Sequence, residues 1–84
     1  MEKLFKLNIC SPSAIILDTE ITSLCAPGIL GYLGVLADHA PLMTSLKSGT
    51  IKYRDKQGAT HVLHCRCHGF LEVLHNKVTV LLDS

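Results

Sequence analysis

A chain of 84 residues, 48% of them hydrophobic, has material for one core and not for two domains with a catalytic cleft between them. With 18% charged residues and a formal net charge of +1, it has neither the basic surplus of a nucleic-acid binder nor the high charge of a disordered chain. Phe5, Tyr32, Tyr53 and Phe70 are too few aromatics for a base-stacking platform, and no apolar run reaches the roughly 18 residues of a membrane span. The first residues alternate and do not form a signal-peptide core. The chain is therefore expected in the cytoplasm, with Cys10, Cys25, Cys65 and Cys67 reduced.

The dominant period is two. Phe5, Leu7 and Ile9 share one side of a first strand, and Lys6 and Asn8 the other. Ser11-Pro12-Ser13 ends it, because proline lacks the ladder donor. Ala14–Leu17 is a second apolar run, and Glu20–Ala26 reads as a third strand stopped by Pro27-Gly28. Gly28, Gly31 and Gly34 then mark turn geometry with positive φ. The crowded turn formers between Val35 and Leu42 argue against a long helix. Met43–Lys47 is extended, Ser48-Gly49 turns, and Thr50–Arg54 alternates again. Asp55–Gly58 is a polar hairpin loop leading into a long strand, Ala59–Cys67. Phe70–Val73 and Lys77–Leu82 follow, joined near His75-Asn76, where asparagine tolerates positive φ. Eight to ten short strands without a 3.6 repeat predict an all-β sandwich or barrel.

The densest chemistry is His61, His64, Cys65, Cys67 and His68. Five potential ligands in eight residues suggest zinc, but strand alternation splits them: His61, Cys65 and Cys67 face one way, His64 and His68 the other. The preferred reading puts Leu63, Cys65 and Cys67 against the core and His64, Arg66 and His68 outside, with no metal. No nucleophile–base signature stands out, so no catalytic residue is assigned. The three glycines lack the Lys-Ser/Thr of a phosphate loop. Ile29, Leu30, Tyr32 and Leu33 ride on them and could form an apolar contact tip. The residues alone favour an interaction module over an enzyme.

The block Gly31-Tyr-Leu-Gly-Val-Leu-Ala-Asp-His-Ala-Pro-Leu-Met-Thr-Ser-Leu-Lys-Ser-Gly49 closely resembles G-E-L-G-(V/I)-L-P-G-H-A-P-L-L-T-x-L-K-P-G of the epsilon subunits of F-type ATP synthases. Gly69–Val73 and Asn76–Asp83 resemble that family's G-F-L-E-V and N-K-V-T-V-L-A-D, and Phe5–Pro12 fits its first strand. The resemblance covers almost the whole chain. It implies a flattened antiparallel β-sandwich of about ten strands, the epsilon N-terminal domain, over residues 1–84. It also implies a non-catalytic rotor-stalk subunit that couples proton flow to ATP synthesis. The implied partners are the gamma subunit, the c-ring of the membrane sector and, indirectly, the alpha/beta head. The implied location is the cytoplasmic face of the bacterial inner membrane, or its organellar counterpart.

By the same resemblance, His39, Ala40, Pro41 and Leu42 are the gamma-binding residues, and Gly31, Tyr32, Leu33 and Gly34 contact the c-ring. Neither cofactor nor metal is implied. The family's C-terminal helical pair, which binds ATP in some members, is expected to be absent from these 84 residues, and ATP binding with it. Three departures stand out: Tyr32 replaces the usual Glu, Ala37-Asp38 replaces the usual Pro-Gly, and Cys67 stands where a small residue is common. The runner-up reading is a stand-alone β-domain with a Cys/His structural metal site.

Overall fold

The computed structural model describes residues 2–83, so the first and last residues of the expected domain lie outside the described residues. Every regular element is a strand: β1 (Phe5–Ser11), β2 (Ala14–Gly28), β3 (Gly31–Leu36), β4 (Leu42–Leu46), β5 (Gly49–Asp55), β6 (Thr60–Cys65), β7 (Gly69–Leu74) and β8 (Lys77–Leu82). The all-β expectation holds, with eight strands among the described residues in place of about ten. Ala14–Leu17 and Glu20–Ala26 are parts of one strand, because Asp18 and Thr19 between them pair with Asn8 and Leu7 of β1. Gly31–Leu36, expected as turns, is β3. Of Gly28, Gly31 and Gly34 only Gly31 has positive φ, at 135°. Gly28 is needed for a different reason: a Cβ there would lie 2.7 Å from a Leu33 methyl and 2.8 Å from the Gly31 carbonyl oxygen. β6 stops at Cys65, short of the expected Cys67, where the chain bends toward β7.

The ladder closes on itself. β2 pairs through its first half with β1, then β1 with β8, β8 with β7, and β7 with β4. β4 returns to β2 at the Leu46–Gly28 pair. The second half of β2 carries β3 on one edge and β5 on the other, and β6 extends from β5. All pairs are antiparallel except β1–β8, which is parallel. Register shifts at Ile9/Cys10 and at Ile21/Ser23 mark bulges, which bend strands and increase their twist.

Alternation delivers the core. Phe5, Leu7 and Ile9 of β1, Ile21, Leu24 and Ala26 of β2, Leu71 and Val73 of β7, and Val78, Val80 and Leu82 of β8 all point inward and are buried. Val35, Leu46, Ile51 and Cys65 join them from the remaining strands. The β7–β8 turn places His75 and Asn76 at φ 50° and 59°, the two positive values that a two-residue hairpin prefers.

Gly69 stands opposite Leu82 at the start of β7. A Cβ there would run into the Leu81 carbonyl oxygen, which belongs to the partner strand's backbone. Gly69→Ala should therefore force the β7–β8 ladder apart and destabilise the domain by about 1–3 kcal/mol. Urea unfolding measures this; an unchanged midpoint would mean the ladder absorbs a methyl group at no cost.

Candidate partner-binding surfaces

The Gly28–Gly31 pair closes a two-residue turn, so the tip of the β2–β3 hairpin is Ile29-Leu30. Tyr32 sits just behind the tip, paired in register with Pro27. Its hydroxyl accepts the Thr50 N–H at 3.1 Å. That hydroxyl and the Pro27 ring leave no room for a Cβ at position 49, which is glycine. Of the four residues assigned to the ring contact, Gly31, Tyr32 and Gly34 are exposed and Leu33 packs against the core. Gly34 lies back along β3, opposite Cys25.

His39, Ala40 and Pro41 are exposed and precede β4, while Leu42 turns partly into the core. His39 Nδ1 lies 2.7 Å from the Ala40 carbonyl oxygen. A carbonyl only accepts, so the proton is on Nδ1. Just before this segment, Asp38 has φ 63°, the left-handed region that glycine favours. Its N–H donates to Asn76 Oδ1 at 2.6 Å, and Asn76 Nδ2 donates back to Asp38 Oδ1 at 2.9 Å. Lys3 Nζ reaches both carboxylate oxygens of Asp38, at 2.9 and 3.0 Å. The β7–β8 turn, the 37–41 segment and the N-terminal segment are thereby tied together.

The two predicted groups do not converge. β3 runs from the hairpin tip to Leu36, so Asp38 and His39 lie beyond its far end, roughly 20 Å from Gly31 at a strand's rise per residue. Asp38 consequently supplies no carboxylate to the hairpin tip.

A third surface went unnoticed in the sequence. On the outer side of β4, β7, β8 and β1, the register aligns Phe70 with Leu81, Leu81 with Cys10, and Cys10 with Ile15. Met43 and Leu74 lie on the same side. Met43, Phe70, Leu81 and Ile15 are each at least half exposed. Met43, Phe70, Glu72, Thr79 and Leu81 border a shallow cleft of about 230 Å³. The signal was present in adjacent apolar pairs: Leu42-Met43, Phe70-Leu71 and Leu81-Leu82 each must send one member outward.

The His/Cys strand behaves as alternation requires. Cys65 is buried and Leu63 and Cys67 pack against the core, while His64, Arg66 and His68 are exposed. Burial raises the Cys65 thiol pKa, and the neighbouring Cys67 adds to the rise. Among the described residues, no three of His, Cys, Asp and Glu gather where a metal ion could be held. His61 instead stacks on Tyr53, with centroids 4.9 Å apart, and its Nε2 lies 2.7 Å from Asp55 Oδ2. Asp55 also accepts the N–H groups of Gln57 and Ala59, closing the β5–β6 loop as an Asx-type turn.

The class of protein these features define is a small β-sandwich with separate, exposed apolar surfaces. Comparison with known families places it further. Residues 4–84 match the family described as ATP synthase, Delta/Epsilon chain, beta-sandwich domain, and the chain belongs to that family. It is similar to the ATP synthase epsilon chain of Desulfosudis oleivorans, at 36% identity over 84 residues. The epsilon chain of Moorella thermoacetica is 41% identical over 78 residues. The match takes in all of this chain and 62% of the first relative, and 93% of this chain and 58% of the second. The chain thus spans about three fifths of the length of these relatives. Among solved structures, a chain of the Euglena gracilis mitochondrial ATP synthase, in an assembly of OSCP, F1 and c-ring, shares the fold with a TM-score of 0.85 at 20% identity. That likeness covers 93% of this chain and 49% of the other.

Two carboxylates are held below their ordinary pKa. Asp38 is lowered by the hydrogen bond from Asn76 and then by Lys3. Asp55 is lowered by His61 and then by the Ala59 and Gln57 N–H groups. A depressed carboxylate stabilises the fold above its unfolded value of about 3.9 and ceases to do so as pH falls through the lowered value. Stability should therefore fall more steeply between about pH 5 and pH 2 in the wild type than in an Asp38→Asn, Asp55→Asn double variant. Equal slopes in urea titrations of the two proteins would remove these groups as the cause.

Proposed function

We propose that this domain is a non-catalytic rotor module of an F-type ATP synthase. It joins the gamma subunit to the c-ring of the membrane sector and so couples proton flow to the alpha/beta catalytic head. It works at the cytoplasmic face of the bacterial inner membrane, or the organellar counterpart, held there by its partners. The observation that carries this reading is the family match over residues 4–84, which takes in both predicted contact segments and the apolar outer face.

On this reading gamma meets the His39–Leu42 segment and the adjoining face of Met43, Phe70 and Leu81. Flat apolar area of this kind gains from being covered, at about 25 cal/mol per Å². The β2–β3 hairpin, with Gly31, Tyr32, Leu33 and Gly34, faces the c-ring. The separation of the two groups along β3 suits a body that touches two partners at once.

Co-purification with the cognate gamma subunit tests the reading directly. Phe70→Glu should weaken gamma binding at least tenfold, because it places an unpaired charge against an apolar partner. His39→Ala should cost about 1–3 kcal/mol of binding, through loss of the hydrogen bond that shapes its segment. Failure of the unaltered domain to bind gamma would overturn the function; wild-type affinity in His39→Ala would remove only that site.

Nucleotide binding is not expected of these 84 residues. The Gly28, Gly31 and Gly34 spacing lies in a β-hairpin, and no helix among the described residues offers its N-terminus to a phosphate. Calorimetric titration with ATP should show no saturable heat, and saturable micromolar binding would contradict the expectation.

A further inference from the structure

The hydrogen-bonding phase of the β5–β6 hairpin is set at its turn. The Asp55 N–H donates to the Ala59 carbonyl at 2.9 Å, and the register then runs through Tyr53 with His61, Ile51 with Leu63 and Gly49 with Cys65. Bonded and non-bonded pairs alternate along an antiparallel ladder, so His61, Leu63 and Cys65 turn their N–H and C=O groups toward β5. Those of Thr60, Val62 and His64 point the other way. Two contacts on the far side of β5 fix the same phase. The Arg54 carbonyl accepts the Thr22 hydroxyl at 3.4 Å, and the Thr50 N–H donates to Tyr32 Oη at 3.1 Å. Arg54 and Thr50 are the register partners of Thr60 and His64, yet both bond away from β6.

Among the described residues β6 ends the sheet, and no strand pairs with its outward edge. The devices that usually blunt such an edge are missing. Thr60–Cys65 holds no Lys, Asp, Glu or Pro, and it pairs with β5 without a register shift. Val62 is half exposed, and Thr60 and His64 beside it on the outer side are exposed as well. Leu63, on the inner side, packs against the core but is only partly covered.

We propose that a second copy of this chain pairs with this edge, β6 against β6 and antiparallel, about a two-fold axis through Val62. The edge is complementary to itself. When Val62 lies opposite the second copy's Val62, each Thr60 lies opposite a His64, and all three outward residues fall in bonded pairs. A slip of two residues loses one of those pairs, and a slip of one sets outer side chains against inner ones. On the outer side the two valines touch. On the inner side Leu63 meets the second copy's His61, whose ring stacks on Tyr53. No fixed charge opposes another. The pairing also stops at two copies, because it uses up the edge of both. A pair of six-residue strands covers much less than the roughly 1,600 Å² of a standard interface, so the dimer is weak, with Kd between about 10 µM and 1 mM. It lies apart from the outer face of β4, β7, β8 and β1 and stands independently of the function proposed above.

The test follows the full natural chain by sedimentation equilibrium from about 5 µM to about 1 mM, which spans the expected Kd. Wild type should pass from monomer to dimer, with no larger species. Val62→Pro deletes a donor from the outward edge and none from the β5 ladder, so it should keep the fold and weaken association at least tenfold. Val62→Lys sets like charges together at the axis; it should associate as weakly at low salt and recover in part at about 0.5 M. Val62→Ile should stay within about threefold of wild type. In wild type the amides of Thr60, Val62 and His64 should exchange more slowly as concentration rises, while those of His61 and Leu63 do not change. A monomer at every concentration overturns the proposal. So does a dimer that Val62→Pro and Val62→Lys leave intact, since it must use another surface. Slow exchange of the Val62 amide at the lowest concentration overturns it too, by placing another segment of the natural chain on the edge. Slowing that appears only when gamma is added gives the edge to that partner, and the proposal falls.

Discussion

A fifteen-residue strand, fully extended, would run roughly 50 Å, and the longest dimension of this domain is 35 Å. β2 therefore cannot stay straight. It bends near Ile21, where one residue pairs with Phe5 of β1 on one edge and Asp55 of β5 on the other. The bulge between Ile21 and Ser23 makes that bend affordable for the ladder. From this one constraint the rest follows. The first half of β2 belongs with β1, β8, β7 and β4, and the second half with β3, β5 and β6. The core fills the space between, and the hairpin tip is carried to where β4 ends.

Strands with one wet face were legible in the sequence. Phe5, Leu7 and Ile9, or Ile51 and Tyr53 against Lys52 and Arg54, announce themselves because burial alternates with the backbone. The inward Cys65 and outward His64 and His68 were legible for the same reason. β2 was not, because Asp18 and Thr19 resemble a break until their partners on β1 are known, and that pairing is not a local property. Glycines concealed β3 in a similar way. With β3 hidden, neither the turn at Ile29-Leu30 nor the placement of Asp38 at the far end could be derived. The apolar outer face was hidden by habit: adjacent apolar residues suggest a thick core, yet on a strand they put one apolar side chain on each face.

The departure at position 38 has a physical account. Where the family resemblance places glycine, this chain has Asp38 in the left-handed region. Aspartate adopts that region less readily than glycine, but it brings a carboxylate. Asn76 and Lys3 both bond to it, so the substitution exchanges a permissive backbone for a three-way tie. Asn76 is itself a left-handed residue at a hairpin turn, and its carbonyl accepts the Lys6 N–H at 2.9 Å. The His39 segment is thus shaped from both sides, by its own Nδ1–H bond to Ala40 and by the tie that precedes it.

The closed ladder also decides how the domain bears force. A pull or twist delivered at the Ile29-Leu30 turn passes into β2, whose edges are bonded to β1, β3, β4 and β5 along its length. Those bonds lie across the strand and are loaded together, in shear, so none yields until many do. β6 is different, since it is held by β5 alone and a sideways load there would open its bonds one after another, like a zip. The stiff direction of the molecule runs from the hairpin through β2 into the strands that carry the apolar outer face, and the compliant edge lies to one side of that line.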